Sequence, residues 1–214
     1  MNNPLSLILA ATLSVAPTVL PPDGSNASYH YVFTGHFWNG ALVQADRIDT
    51  LKTNAGTVVI SKQDTLSSKT TESHGTIGAD GTVTTPDASE SSDPFTAYNT
   101  LVLLIHGVSS YTAGTKWTVS LPIHTGQHAT DITQVPVSAT ITKVDGDSVT
   151  IAASGTKSAM VTYGGYTNMV DLTIQVAAQF SGGSLQRADY KATDDVHAGP
   201  LSQELHWTWS LAAQ

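Results

Sequence analysis

From Val135 to Leu211 the chain alternates apolar and polar residues with few breaks, and this period of two constrains its fold more than any other feature. Asp171–Phe180 is the cleanest case. Leu172, Ile174, Val176, Ala178 and Phe180 fall on one side, and Thr173, Gln175 and Gln179 fall on the other. Successive side chains of a strand point to opposite faces, so the pattern predicts strands with one dry and one wet face. The last such run, Leu201–Leu211, places Leu201, Leu205, Trp207, Trp209 and Leu211 together, with Gln203 as the polar intruder. Two indoles on one face are a large apolar load that some other element must cover.

The rest of the second half reads the same way. Val135, Val137, Ala139 and Ile141 alternate with Pro136, Ser138, Thr140 and Thr142. Asp145-Gly146 turns the chain, and Val149, Ile151 and Ala153 return. Lys157–Tyr163 reads as a further strand broken by Gly164-Gly165. Ser181-Gly182-Gly183-Ser184 turns into a strand over Leu185–Thr193, and Asp194–Pro200 reads as a loop. Such short connections make sequential strands antiparallel.

The first half is less regular. Tyr29–Thr34 and Thr57–Ser61 read as strands, Trp38-Asn39-Gly40 as a hairpin turn, and Ala41–Leu51 as a strand in preference to a short helix. Ser61–Ser92 is polar, with one marginal hairpin turning at Asp80-Gly81. Ser92-Asp93-Pro94 is the strongest helix start, since Ser or Asp caps free N–H groups and Pro fits the first turn. Phe95, Tyr98, Leu101, Val102 and Ile105 follow at helical spacing, and Gly107 supplies a stop. The spacing predicts a helix over 94–106, although Leu101–Ile105 also suits a buried strand. The expected fold is mainly β: a curved antiparallel sheet or half-barrel, a meander packed against this one middle helix.

Composition narrows the function classes. The chain has a formal charge of -8, only 12% charged residues and no cysteine. An acidic chain without a Lys/Arg stripe does not suit nucleic acid. Lack of cysteine removes disulfides, thiolate metal sites and a lipid-anchored N-terminal Cys. Leu5–Ala16 is apolar and of signal-peptide length, with Ser14-Val15-Ala16 offering small residues at a cleavage point. Against this stand the absence of a basic residue before the run and Pro17 directly after it. An N-terminal helix of the fold is the competing reading. The expected organisation is a signal peptide over 1–16, a linker over 17–27 and a single β-rich domain over 28–214. That implies a periplasmic or secreted protein without stable membrane insertion once the leader is removed.

Candidate chemistry is sparse. His124-Thr-Gly-Gln-His128 with Asp131 is a possible metal set, although Gly126 and Pro122 favour a loop over the helix that would give the spacing meaning. Asp194-Asp195-Val196-His197 is a weaker cation candidate and reads as a turn. Leu103-Leu104-Ile105-His106-Gly107 has the look of an oxyanion-hole strand, but Gly107-Val108-Ser109-Ser110-Tyr111 does not complete a nucleophile elbow. No catalytic residue can be named and no cofactor is expected, so a binding protein is favoured, with a metal-dependent hydrolase built on His124, His128 and Asp131 as the least favoured reading. A ligand seated between sheet and helix would meet Phe95, Tyr98, Trp117, Trp207 and Trp209. Its partner would be a small hydrophobic molecule such as a lipid. With a fully packed core, the partner would instead be an envelope protein.

The order of elements, with Gly114-Thr115-Lys116-Trp117 as a Gly-x-x-Trp turn feeding the strands after Val135, resembles uncharacterised bacterial exported β-rich proteins. These are similar in outline to lipoprotein-carrier half-barrels. The resemblance covers residues 95–211 and implies a curved sheet wrapped around a helix. This chain lacks the lipobox Cys that many of those proteins carry.

Overall fold

The computed structural model describes residues 15–36, 41–85, 94–124, 132–163, 166–197 and 203–214. Their elements are β1 (Asn26–His36), β2 (Leu42–Asn54), β3 (Thr57–Asp64), β4 (Thr70–Ile77), β5 (Val83–Thr84), α1 (Thr96–Ile105), β6 (Lys116–His124), β7 (Ile132–Asp145), β8 (Ser148–Tyr163), β9 (Tyr166–Ser181), β10 (Ser184–His197) and β11 (Gln203–Ala213). The expected turn at Trp38-Asn39-Gly40, the capping pair Ser92-Asp93 and the Gly164-Gly165 break lie outside the described residues.

All eleven strands form one open antiparallel sheet in the order β5-β4-β3-β2-β1-β11-β10-β9-β8-β7-β6. Strands β1 to β5 step outward to one edge. The chain then crosses through α1 to the other edge and steps back from β6 to β11, which pairs with β1. The expected curved meander against a single middle helix is therefore the architecture. Leu101–Ile105 is helical, which settles its ambiguity.

Residues directly opposite in an antiparallel ladder share a face. Following the register from Leu51 and Ile60 through Tyr31, Leu211, Ala188, Ala178 and Ile151 to Ala139 traces one continuous inner face. Those residues are all buried. The outer face carries mainly Ser, Thr, Gln, Lys and Asp, with Met160 and Met169 exposed side by side on β8 and β9.

Two elements cover the inner face. The first is α1. It has no side-chain N-cap bond, no acid in its first turn and no base in its last, so packing holds it. Phe95, Tyr98, Leu101 and Leu104 are completely buried. The helix also grips both sheet edges. The Asn99 side-chain amide accepts from the Val83 N–H at 2.7 Å and donates to the Val83 carbonyl at 2.8 Å, taking the place of a strand beyond β5. On the opposite edge the Trp117 indole N–H donates to the Leu104 carbonyl at 2.9 Å.

The second cover is the far end of β6 and β7. The β7–β8 ladder runs from Asp145↔Ser148 to Ser138↔Ser154 and stops. Pro136 has no N–H to continue it. Gly155, next on β8, faces Pro136 so closely that a Cβ there would lie 2.1 Å from the Pro136 carbonyl oxygen. Because position 155 belongs to the inner face, β7 passes over the inside of β8 at this point. The sheet forks: β8 continues with β9 as far as Tyr163↔Tyr166, and β7 continues with β6 as far as Ile132↔His124. Leu121, Ile123 and Val135 on the inward branch are buried, as are Val170, Leu172 and Ile174 of β9. Lys157 spans the fork and donates to the Gln134 carbonyl at 2.9 Å.

Two strand expectations are corrected. Lys157–Tyr163 is not a separate strand but the second half of β8, because Gly155 serves close backbone approach and not a turn. Asp194–His197 is not a loop. It continues β10, with Asp194 and Val196 buried and Asp195 and His197 outward. Within 17–27, Thr18 is docked: its N–H donates to the Gly183 carbonyl at 2.7 Å, and Val19 beside it is buried.

Candidate functional site

The five aromatic residues singled out in the sequence all belong to the inner side, in two groups. Phe95 and Tyr98 sit on α1, and Trp117 reaches that helix from β6. Tyr98 packs near Tyr29 with ring centroids 5.9 Å apart. Its hydroxyl donates to Asp49 at 3.0 Å. Asp49 is fully buried and receives the Arg47 guanidinium through Nε at 2.6 Å and a second nitrogen at 3.2 Å. Arg47 in turn lies 4.0 Å above the Tyr31 ring. The buried carboxylate is stabilised by the Arg47 ion pair and the Tyr98 hydroxyl, and the Tyr31 ring backs the guanidinium that neutralises it. Burial foremost, with the Asp49 charge adding, holds the Tyr98 phenol well above its ordinary range. Burial also pushes Tyr29 and Tyr31 up to about 12.

The second group is Trp207 and Trp209 with Tyr190. Tyr190 and Trp209 stack in parallel, centroids 5.0 Å apart, and both are buried. Trp207 is half-buried and hydrogen-bonds the Tyr190 hydroxyl. Burial is the main cause of the raised Tyr190 pKa, and the buried Asp194 carboxylate adds to it. Nothing in the sequence pattern pointed to Asp49 or Asp194 as interior charges. Their parity with Leu51 and Val196 is the signal that could have found them.

The metal candidate cannot be assembled here: His128, Asp131 and the His124 side chain lie outside the described residues. Among the described residues no cluster of three or more His, Asp and Glu has metal-holding geometry. His197 instead pairs with Asp171 at 3.0 Å, and the Ser158 hydroxyl, with His197 second, holds that carboxylate below its usual range. His106 is the exposed residue ending α1. Because Leu103–Ile105 is helical, the strand and turn of an oxyanion hole are not formed.

A broad open hollow of about 890 Å³ lies on the outer face. Its side chains come from β1 and from β6 to β11, so it runs across the strands. Outward-pointing Ser138, Thr140, Ser154, Gln175, Thr208 and Ser210 form its floor. Lys116 stands toward one end and Lys191 toward the other. A twisted sheet is saddle-shaped, so a trough across the strands on the face away from the core is a natural result of coiling. A smaller hollow of about 50 Å³ adjoins it, sharing Gln175 and Lys191 and adding Thr173 and Thr193. Asp189 in the trough is held by Arg187 through two hydrogen bonds of 2.9 and 3.2 Å. None of these residues stands out in the sequence, because the trough is a cross-strand property.

Searches against known protein families, curated proteins and solved structures found no match to this chain.

Proposed function

We propose that this protein is an exported binding module of the cell envelope, that its interior is a scaffold, and that it binds through its outer face. The observation that carries this reading is where the free space lies. The helix side of the sheet is filled by Phe95, Tyr98, Leu101 and Leu104, while the 890 Å³ hollow opens on the polar side. Such a trough sets hydroxyl, amide and ammonium groups among the small apolar surfaces of Val32, Ala152 and Ala177, a mixed lining that suits a polar partner with apolar patches of its own. The apolar run at 5–16 supports export, and a cut after Ala16 would leave Thr18 at its docking point on Gly183. Equilibrium dialysis of delipidated protein against labelled oleate tests the reading. It predicts no saturable uptake; one oleate bound per chain would overturn it.

A second reading, a carrier of small hydrophobic ligands, is favoured by one feature: α1 has neither a side-chain cap nor charges suited to its ends. A helix held only by packing can be displaced by a ligand that replaces its contacts with the inner face. The dialysis experiment separates the two readings.

A further inference from the structure

We infer that the outer trough is the binding site of an extended acidic polysaccharide, a chain of sugars bearing carboxylates. This rests on the outer-face reading above and names its ligand class.

Shape comes first. The trough is lined from Val32 on β1 to Lys116 on β6 and is open along its length. Six strand spacings separate β1 from β6 in the sheet order, about 29 Å at the usual spacing of neighbouring strands. Such a span suits several linked units better than one small molecule. The floor comes next. Ser138, Thr140, Ser154, Thr208 and Ser210 each donate and accept a hydrogen bond, and the Gln175 amide does both. That is the complement of sugar hydroxyls. The apolar surface between these groups, from Val32, Ala152 and Ala177 and the Thr methyls, suits the C–H faces of sugar rings, while an acyl chain would leave the floor's hydroxyls and the Gln175 amide without partners.

Charge decides between neutral and acidic sugars. The chain carries 9 Lys and Arg against 17 Asp and Glu, yet two lysines converge on this one hollow. Neither Lys116 nor Lys191 has a carboxylate partner among the described residues. The trough's one acid, Asp189, is neutralised by Arg187. Lys116 on β6 and Lys191 on β10 are four strands apart, about 19 Å along the sheet, so they would engage charges on separate units. Beside Lys191, the 50 Å³ hollow between Thr173, Gln175 and Thr193 has room for a carboxylate, with an ammonium, an amide and two hydroxyls around it. Two isolated cations are too few for a nucleic acid, whose affinity rests on many neutralised phosphates.

The test is calorimetric titration with polygalacturonate oligosaccharides, with dextran oligomers of equal length as neutral probe, on the full chain. Expected is saturable binding of polygalacturonate, weakened about 3- to 10-fold by Lys116→Gln or Lys191→Gln and further by both, as loss of a charge-assisted contact does. Lys52→Gln, outside the trough, should leave binding unchanged. Absence of polygalacturonate binding at millimolar oligomer, equal binding of dextran, or binding undiminished in the double variant would each overturn the proposal. Such a failure with no oleate uptake removes only the ligand class. Stoichiometric oleate uptake removes the outer-face reading itself.

Discussion

Gly155→Ala is the sharpest local test of the fork between β7 and β8. An added Cβ would lie 2.1 Å from the Pro136 carbonyl oxygen, 2.8 Å from Val137 Cα and 2.9 Å from the Pro136 carbonyl carbon. All three obstacles are backbone, so no rotamer change relieves the clash. The β7 backbone must shift, in a region where Val135 and Val137 are completely buried. Two effects compete. Gly→Ala at a compatible site stabilises by about 0.4–1 kcal/mol through the unfolded chain. Overpacking a tight interior costs about 1–3 kcal/mol, occasionally more. The clash wins, giving a net loss of about 1–2 kcal/mol. Urea denaturation should show a lower midpoint with an unchanged slope. The control is Ala152→Ser, an exposed outer-face substitution expected to change stability by no more than about 0.5 kcal/mol. A Gly155→Ala protein as stable as the parent would refute the claim that β7 crosses the inside of β8 there.

Other consequences follow from the interior. Tyr98→Phe removes the phenol donor from the buried Asp49 carboxylate and should cost about 1–3 kcal/mol in the same denaturation assay. Trp209→Ala should cost about 3–5 kcal/mol, because its indole is buried and stacked on Tyr190, while Trp207→Ala, at a half-buried position, should cost clearly less. Tyr29 and Tyr31 are raised to about 12 and Tyr98 is held well above its ordinary range, mainly by burial, so these phenols stay protonated in the folded chain when an unfolded chain releases its protons near 10. For Tyr29 and Tyr31 this contribution is complete below pH 10 and is lost as pH rises from 10 through about 12, at up to about 1.4 kcal/mol per pH unit for each tyrosine. Ultraviolet titration should therefore show part of the tyrosinate signal appearing only together with unfolding; full ionisation near pH 10 with retained structure would contradict the buried assignments.

Much of the fold was legible because period-two alternation is a local signal. The runs ending in Phe180 and Leu211 announce their faces without tertiary help. The 94–106 helix was recoverable because its apolar stripe and its Gly107 stop are both local. What stayed hidden depends on contacts distant in sequence. Gly155 carries no visible role until Pro136 is placed against it, and Asp194-Asp195 looks like a turn until Asp194 is seen beside inward Val196. Asn99, an ordinary polar residue on a helix, completes a strand edge sixteen residues away. The aromatic residues of the inner side were visible as apolar weight. The trough was not, since Lys116 and Lys191 are placed on one face of it only by four intervening strand pairings.

The central claim is that α1 is a permanent seal of the inner face and not a gate. Residue-resolved amide hydrogen exchange of the native protein tests it most directly. If Phe95, Tyr98, Leu101 and Leu104 are locked in the core and Asn99 and Trp117 tie the helix to both edges, the amides of Thr100–Ile105 exchange only with global unfolding, at protection equal to that of β9. Exchange of those amides by a separate opening several kcal/mol below the protection of β9 would show a helix that leaves the sheet on its own, and the sealed-core account would fall.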